Sequence, residues 1–417
     1  MIPARLNPTS AGPIRRWCAA LLVTLTAVTA AVAATGTAAA ERVPTPEHDS
    51  FYDAPPNLRS LANGTVLKSR AVDPYGLDAG PLLRVWQVQY RSSDADGAPS
   101  TGVVSIAVPL VPWTGPGPRP LLSYQIAEDS LGIDCTTSYS VRAAFAAGFN
   151  NTNGEALGAL TLLHRGWAVV LPDYQGPDQR FLDGPQSAHG VLDGIRAARA
   201  FAPAGLAAAP VGLLGYSGGG YATSFAAAAQ PEYAPELAPA GVAMGGLPAD
   251  LIGALGGTSG TYSAGLGLLA LSALDRIVPE ANIPALLNER GRTALAQNTR
   301  ACGHDFGGKY AFSHLDDYAA SPGLATHPRI TALANRFRLD GNVPGAPSFV
   351  WHSTGDDALP IAATDAAVAA WCGAGATVSY RRTSTPTHLV SALSGVADAL
   401  HFLDDRFAGV PAPAGCS

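Results

Sequence analysis

From Leu83 onward, short apolar runs alternate with windows whose apolar residues recur at helical spacing. Eight runs are typical of buried strands: RVWQVQY from Arg84, GVVSIAVP from Gly102, PLLSYQI from Pro120, WAVVLPDY from Trp167, PVGLLGYS from Pro210, GVAMGGL from Gly241, PSFVWHS from Pro347 and ATVSYRR from Ala376. Five windows are typical of helices: 154–165, 189–202, 219–229, 361–372 and 389–407. The early runs follow one another directly, as antiparallel neighbours do, whereas helices separate the later ones, as parallel crossovers require. The pattern predicts an α/β fold with a mostly parallel central sheet that helices cover on both faces.

This alternation breaks between residues 248 and 340. The stretch from Tyr262 to Ile277 is almost wholly apolar, which is more apolar surface than one buried helix stripe needs. The region is either an additional pair of core helices or a helical cap whose apolar face lies toward a substrate site. We favour the cap, in which some of this apolar surface should face either a neighbouring cap helix or an acyl chain, and Leu268 and Leu271 are the residues at which we expect an acyl-facing wall.

The first forty residues have the layout of a secretory signal peptide. Arg5, Arg15 and Arg16 precede an uncharged, alanine-rich run over 17–40, and small residues precede a cleavage site before Glu41. The arginine pair leaves twin-arginine and general export both open, and an uncleaved membrane anchor is the alternative. The predicted organisation is a signal peptide over 1–40, a core in two parts over 41–247 and 341–417, and an inserted helical cap over 248–340.

Charge and cysteine content narrow the partners and the compartment. The net charge of -6 and the scattered basic residues form no patch for nucleic acid, which we exclude as a partner. Outside the signal segment the chain has an even number of cysteines, and none lies in a spacing that binds metal: Cys135, Cys302, Cys372 and Cys416. An exported chain of this kind is expected to form two disulfides, for which the sequence alone allows three pairings.

The strongest chemical signal is the motif GYSGG, which begins at Gly215. It matches G-x-S-x-G in the context that this motif requires, an apolar strand before it and an alanine-rich helix after it. In such a nucleophile elbow the backbone is strained so that the serine hydroxyl stands clear of the sheet, and the flanking glycines let strand and helix approach closely. Ser217 is therefore the predicted nucleophile. The alternative is a glycine-rich turn that only packs a helix on a sheet.

A serine hydroxyl is a weak nucleophile, so it needs a histidine that takes its proton and an acid that orients the histidine. In hydrolases built on such an elbow the chain order is serine, acid, histidine, with the acid after a late strand and the histidine before the last helix. FVWHSTGDDALP offers Asp356 and Asp357 after a strand, and His388 opens the final helix. We prefer Asp356, because the acid is commonly followed by two residues, an apolar residue and proline. Asp357 is interpreted as a surface carboxylate near a helix N-cap.

Acyl transfer also requires hydrogen-bond donors for a developing oxyanion. The amide of Gly218, directly after the predicted nucleophile, is the first expected donor. A second donor is usually supplied by a loop after an early strand, and here that loop reads AEDSLGIDC from Ala127. It lacks the HGGG type of oxyanion loop.

Five motifs in this order resemble the secretory lipases of the lipase-A type, within the α/β-hydrolase superfamily, over nearly the whole mature chain: SYQIAEDS from Ser123, WAVVLPDYQG from Trp167, GYSGG from Gly215, WHSTGDDALP from Trp351 and PTHL from Pro386. The resemblance implies an α/β-hydrolase fold and a triad of Ser217, Asp356 and His388. It also implies that Asp129 lies in the oxyanion loop and that 248–340 is a lid above the acyl site.

The same resemblance implies two disulfide pairs, Cys135 with Cys302 and Cys372 with Cys416. One position departs from the family pattern, because the family has an aromatic residue where this chain has Glu128. A second carboxylate near a developing negative charge would be unfavourable unless it points away from the oxyanion.

The resemblance implies a secreted triacylglycerol lipase or carboxylesterase that works through an acyl-enzyme and needs no cofactor and no metal. Its expected partners are an ester or lipid substrate and, transiently, a lipid–water interface. Two alternatives remain at this point. One is a serine peptidase or acyltransferase on the same fold, and the other is a catalytically silent exported binding protein, against which the complete triad in the expected order argues.

Overall fold

The structure is a computed structural model that describes residues 43–76, 80–143 and 151–417. The predicted signal segment and its cleavage site lie outside the described residues. Residues Pro44–Ser417 form one compact unit. In the part of the chain that the structure describes, no helix is long and apolar enough to cross a membrane.

Within the described ranges one nine-stranded sheet forms the centre of the fold. Its strands are β1 Val66–Ala71, β2 Leu83–Ser93, β3 Pro99–Pro109, β4 Leu121–Gln125, β5 Ala168–Pro172, β6 Val211–Tyr216, β7 Gly241–Gly245, β8 Ser348–Gly355 and β9 Val378–Pro386. The spatial order is β1-β2-β3-β5-β4-β6-β7-β8-β9. The pairs from β1 to β3 and from β3 to β5 are antiparallel, and all pairs from β5 to β9 are parallel. The predicted α/β fold with an antiparallel start is confirmed.

The central strands are apolar throughout because both faces of the sheet are covered. Every residue of β5, β6 and β7 is buried, as a parallel sheet between two helix layers requires. The described α-helices are α1 Thr137–Ala143, α2 Asn151–Thr161, α3 Gly184–Ala200, α4 Gly218–Tyr233, α5 Leu251–Thr258, α6 Ala264–Ile277, α7 Glu289–Gln297, α8 Gly303–Lys309, α9 Pro328–Ala334, α10 Ile361–Gly373 and α11 His388–Phe407. One core lies between the sheet and α3, α4 and α10, and the other lies between the sheet and α2 and α11.

Between β7 and β8 the chain forms helices α5 to α9, which enclose an apolar cluster of their own. Leu268 and Leu271 are buried inside this cluster. The expectation that these two leucines belong to an apolar face toward the substrate site is therefore wrong. Leu266, on the same helix, instead lines a cleft beside Ser217.

Both disulfides tie a chain segment to a distant element. Cys135 is bonded to Cys302, so the segment before α1 is joined to the start of α8. Cys372 at the end of α10 is bonded to Cys416, and the C-terminal residues pair with β9 at the edge of the sheet. The pairing is the one that the family resemblance implies. The second bond holds chain along an edge strand whose backbone groups would otherwise be open to another chain.

Candidate active site

Ser217 occupies a sharp turn between the end of β6 and the start of α4. Its φ of 55° and ψ of -124° are unusual for a residue with a side chain. The turn is crowded: a Cβ at Gly219 would overlap the carbonyl oxygen of Gln125, and one at Gly215 would overlap that of Gly219. These glycines let strand and helix approach closely while the serine hydroxyl projects from the sheet, which is the geometry of a nucleophile elbow.

The serine hydroxyl meets the other two predicted triad residues in one line of hydrogen bonds. His388 Nε2 lies 2.7 Å from Ser217 Oγ, and His388 Nδ1 lies 2.6 Å from Asp356 Oδ2. The three residues come from the start of α4, the turn after β8 and the first residue of α11. The parallel order of β6, β7 and β8 brings these points to the same edge of the sheet.

Asp356 is held as an ionised acceptor. Its side chain has no solvent exposure, and its Oδ1 accepts hydrogen bonds from the amides of Ala358 at 3.0 Å and Leu359 at 2.8 Å. Burial opposes ionisation, but hydrogen bonds from His352 and His388 outweigh it and hold the pKa of Asp356 well below its usual range. The carboxylate is therefore available to orient His388 and to stabilise its cation.

Asp357 has a different position. Its carboxylate is exposed and accepts a hydrogen bond from the backbone amide of His388 at 2.8 Å, so it caps the first turn of α11. This agrees with its interpretation as a surface carboxylate near a helix N-cap.

Tyr216 and His352 also contact the triad, and the sequence analysis did not single them out. The Tyr216 hydroxyl donates to the carbonyl oxygen of His388 at 2.7 Å, and the two ring centroids are 5.0 Å apart. His352 is buried in β8, with Nε2 3.4 Å from Asp356 Oδ2. A histidine four residues before the acid was the available signal, but a buried strand histidine alone indicates no role.

Asp129 lies against Gly218, the residue after Ser217. It is buried with a positive φ of 40°, and a Cβ at Gly218 would overlap its Oδ1. That oxygen has no hydrogen-bond partner among the described residues. Burial raises the pKa of Asp129 to about 6, and the charge of His388 opposes the rise. A carboxyl group of this kind is protonated below about pH 6 and can then donate a hydrogen bond.

Glu128 turns away from this site. Its Oε1 accepts from the amide of Thr137 at 2.9 Å and from the Thr137 hydroxyl at 2.7 Å, at the start of α1. Burial, and next the charge of Asp173, raise the pKa of Glu128 well above its usual range. The departure from the family pattern therefore places a helix-capping carboxyl group inside the predicted oxyanion loop, with its Oε1 bonded to Thr137.

The triad opens into an apolar cleft between the sheet edge and helices α5 and α6. Asp129, Ser217, Gly218 and His388 form its polar end. The rest of the lining is largely apolar: Phe181, Leu182, Pro248, Leu251, Ala254, Leu255, Thr258, Leu266, Gly267, Ala270 and Leu359. A few convergent polar groups at the end of an apolar cleft suit a substrate with one reactive polar group and a hydrocarbon part.

Among the described residues one group has the composition of a metal site, Cys302 with His304 and Asp305 on α8. The Cys302 sulfur is bonded to Cys135. A disulfide sulfur carries no thiolate charge, so this group does not provide a metal site.

Comparison with known proteins places this geometry in a family. A family model described as secretory lipase matches residues 145–415. The chain belongs to the secretory lipase family. It is 33% identical over 390 residues to lipase A of Arthroderma benhamiae, a match that covers 89% of this chain and 81% of that protein.

Two further comparisons bear on fold and activity. This secretory lipase is 33% identical over 374 residues to a "probable inactive lipase" of Mycobacterium tuberculosis, covering 88% of this chain and 83% of that protein. The crystal structure of Candida antarctica lipase A in its closed state superposes with a TM-score of 0.78 at 27% identity, covering 90% of this chain and 89% of that one. The fold is that of an α/β hydrolase.

Proposed function

We propose that this secretory lipase hydrolyses carboxylic esters through an acyl-enzyme on Ser217. The observation that carries the proposal is the continuous line of hydrogen bonds from Asp356 through His388 to Ser217 at the polar end of an apolar cleft. A catalytically silent protein has no need for this alignment, so the geometry favours an active enzyme although one relative is described as inactive.

The hydrogen bonds define the proton transfers. Because the Asp356 carboxylate accepts at Nδ1, the Nδ1 of His388 carries the proton and Nε2 accepts from Ser217. The Ser217 oxygen attacks the ester carbonyl while Nε2 takes its proton, and the resulting imidazolium gives that proton to the leaving alcohol. A water molecule then attacks the acyl-enzyme while Nε2 takes its proton, and the carboxylic acid product is released as that proton passes to Ser217.

In this proposal the developing oxyanion accepts hydrogen bonds from two donors. The amide of Gly218, at the positive end of α4, is the first. The carboxyl group of Asp129 in its protonated form is the second, since its Oδ1 lies against Gly218 without another partner among the described residues. An oxyanion beside it favours that protonated form.

Covalent labelling tests the proposal directly. The purified mature protein is incubated with a fluorophosphonate, and the modified residue is identified by peptide mass spectrometry while turnover of p-nitrophenyl esters is followed. We expect stoichiometric modification of Ser217 and loss of turnover in proportion. Labelling elsewhere, or turnover that survives complete labelling of Ser217, would exclude this acyl-enzyme. Release of an amine from an amide substrate at a comparable rate would indicate a peptidase, and preferential transfer to an added alcohol would indicate an acyltransferase.

The acyl chain is proposed to lie between the sheet edge and the inserted helices, with 248–340 acting as the lid. Ala254 on α5 and Leu266 on α6 both line the cleft that ends at Ser217. Hydrocarbon moved from water into such a cleft is stabilised by about 0.8 kcal/mol for each methylene. Affinity for long acyl chains should therefore depend on the part of the cleft that Ala254 lines.

Filling that space should make the enzyme selective for short esters. We expect Ala254→Phe to lower kcat/KM for a decanoate ester by about 100-fold, because four excluded methylenes correspond to roughly 3 kcal/mol. The acetate ester, which does not reach so far, should be affected much less. The measurement is kcat/KM for a series of p-nitrophenyl esters from acetate to decanoate.

Ala296→Phe is the matched control, since Ala296 is exposed on α7 of the same insertion and does not line the cleft. It should leave the chain-length profile unchanged. An equal loss on all chain lengths for Ala254→Phe would place the acyl chain elsewhere.

We also propose that the first turns of α11 contact the lipid surface. Leu389, Val390 and Leu393 are 81%, 46% and 76% exposed, and they lie in the first turns of the helix that begins at His388. Three side chains fall far short of the ~800 Å² per partner of a typical specific dimer interface, whereas shallow insertion into lipid needs only a few apolar groups. Their position beside the catalytic histidine would hold the cleft against the substrate phase.

Removing this apolar surface should weaken binding to lipid. In a Ser217→Ala background, which does not consume lipid, Leu389→Ser combined with Leu393→Ser should lower partitioning onto phosphatidylcholine vesicles by at least about tenfold, because burying one leucine contributes about 1.5–3 kcal/mol. Vesicle cosedimentation measures this directly.

Val111→Ser is the control, because Val111 is 70% exposed. It follows the end of β3, which lies beside the start of β5, whereas Ser217 follows the carboxyl end of a parallel strand on the other side of the sheet's mid-line. If the Leu389→Ser, Leu393→Ser variant and the Val111→Ser variant both bind vesicles as tightly as the Ser217→Ala protein, the surface of α11 is not the lipid contact. Loss of a dimer with unchanged vesicle binding would instead assign this surface to a second copy of the chain.

Export is the remaining part of the proposal. The segment over 1–40 has the layout of a signal peptide, the chain belongs to a secretory family, and two disulfides suit an oxidising compartment. N-terminal sequencing of the secreted protein should begin at Glu41.

A further inference from the structure

A second histidine lies behind the proposed catalytic acid. His352 is fully buried in β8, and its Nε2 lies 3.0 Å from the carbonyl oxygen of Leu359 and 3.4 Å from Asp356 Oδ2. That carboxylate oxygen is the same one that accepts from His388 Nδ1. The mechanism described above gives His352 no part in any proton transfer.

The neighbours of His352 determine which of its nitrogens carries a proton. The Leu359 carbonyl can only accept, so Nε2 must carry a proton and donate. Nδ1 lies 2.8 Å from the hydroxyl of Thr364 at the start of α10, and that hydroxyl can donate to it. The neutral Nε2–H form therefore has a partner at both nitrogens, and its donor lies on the side of Asp356.

The same ring connects the segments that frame the site. Thr364 Oγ1 also lies 3.4 Å from the carbonyl oxygen of Leu247, in the loop after β7 that leads into the inserted helices. The acid turn and the start of α10 thus both contact His352, and the loop after β7 approaches it through Thr364. Because the Thr364 hydroxyl has one proton, donation to Nδ1 at 2.8 Å leaves its 3.4 Å approach to Leu247 as a close contact only.

We propose that His352 is a positioning residue that holds the Asp356 carboxylate in the orientation from which it serves His388. This inference rests on the proposed function, since it assigns His352 a part in the same reaction. The Ala358 and Leu359 amides hold Oδ1 of the carboxylate, and the Nε2–H of His352 lies between the Leu359 carbonyl at 3.0 Å and Oδ2 at 3.4 Å, so it is a second constraint on Oδ2 beside His388. Without His352, Oδ2 would be held among the described residues by His388 alone.

Loss of the donor also has an electrostatic consequence. A carboxylate that loses the nearby Nε2–H is a stronger base and attracts the proton on His388 Nδ1 more strongly, so the pH dependence of kcat/KM should change in the absence of His352. The other titratable groups that face His388 are Asp129 from the oxyanion loop, Tyr216 from β6 and Asp357 from the acid turn. All three are unchanged by a substitution at His352.

Two substitutions separate positioning from packing. His352→Leu removes the N–H donor. His352→Gln places an amide N–H near the position of Nε2, and glutamine has no titratable group. We expect His352→Leu to lower kcat on p-nitrophenyl butyrate by about tenfold or more with little change in KM. The acidic limb of its kcat/KM profile should move upward by about half a pH unit. His352→Gln should restore most of kcat and the position of the limb.

Rates are expressed per active site labelled by fluorophosphonate, so that misfolded protein does not contribute. His189→Leu and His189→Gln are matched controls, because the half-buried His189 stacks on Tyr233 far from the triad. If His352→Leu lowers thermal stability but leaves kcat and the acidic limb per labelled site unchanged, His352 is structural only. Equal losses for the leucine and glutamine variants would also overturn the inference. Failure of Ser217 to label in the parent protein would instead refute the proposed function.

Discussion

Replacing Ser217 by alanine should lower kcat for soluble esters by roughly 10⁴-fold or more while leaving the protein folded. The hydroxyl is the only atom of Ser217 that faces His388, at 2.7 Å from Nε2, so alanine removes the nucleophile and little else. The Gly218 amide and the apolar cleft remain, and they account for any residual rate. The measurement is kcat and KM for p-nitrophenyl butyrate, with circular dichroism as the check on folding.

His388→Ala is the companion variant, because a nucleophile and its base act as one unit. The double variant with Ser217→Ala should be no slower than either single variant. If Ser217→Ala retained more than about one per cent of the parent rate, the acyl-enzyme mechanism would not apply.

The second large effect concerns the acid. Asp356→Asn should lower kcat/KM by roughly 10³- to 10⁴-fold. The amides of Ala358 and Leu359 both donate to Oδ1, so the asparagine oxygen will remain there and its NH₂ group will face His388. An NH₂ group requires Nδ1 as an acceptor, which leaves the proton on Nε2, where His388 cannot take one from Ser217.

Asp357→Asn is the matched control one residue along the chain. Its side-chain oxygen can still accept from the His388 amide, and only the charge near the start of α11 is lost, an effect of about 0.3–1 kcal/mol. Its rate should therefore remain within about sixfold of the parent. The reverse ranking of the two variants would mean that Asp357 is the acid.

The parts of the fold that the sequence predicts depend on local pattern. The eight expected strands and five expected helices are all present, because the strands are short apolar runs bounded by turn residues and the helices are long enough to show helical spacing. β1 was not predicted, since its residues VLKSRA are half exposed at the edge of the sheet and lack an apolar run. The seven-residue helix α1 was also missed, because it is short and its N-terminus is capped by Glu128 from the preceding loop and by Asp173 from beyond β5, a pairing that only the fold creates.

The inserted helices show where local pattern stops being informative. The run from Tyr262 to Ile277 correctly indicates a helix, but a helix that is apolar on most sides does not reveal which side faces the cleft. Packing against α5, α8 and the neighbouring turns places Leu268 and Leu271 in the interior and leaves Leu266 at the cleft.

The sequence by itself determined the elbow at Ser217, the order of serine, acid and histidine, and the sheet that carries them, because these features follow from spacing along the chain. Tertiary structure decided everything that depends on direction in space. It turned Asp356 toward His388 and Asp357 toward a backbone amide, turned the Glu128 side chain toward the start of α1, and brought His352 beside Asp356. The physical reason is that hydrogen bonds and burial act over a few ångströms, and only the folded sheet brings Ser217 and His388, 171 residues apart, within that range.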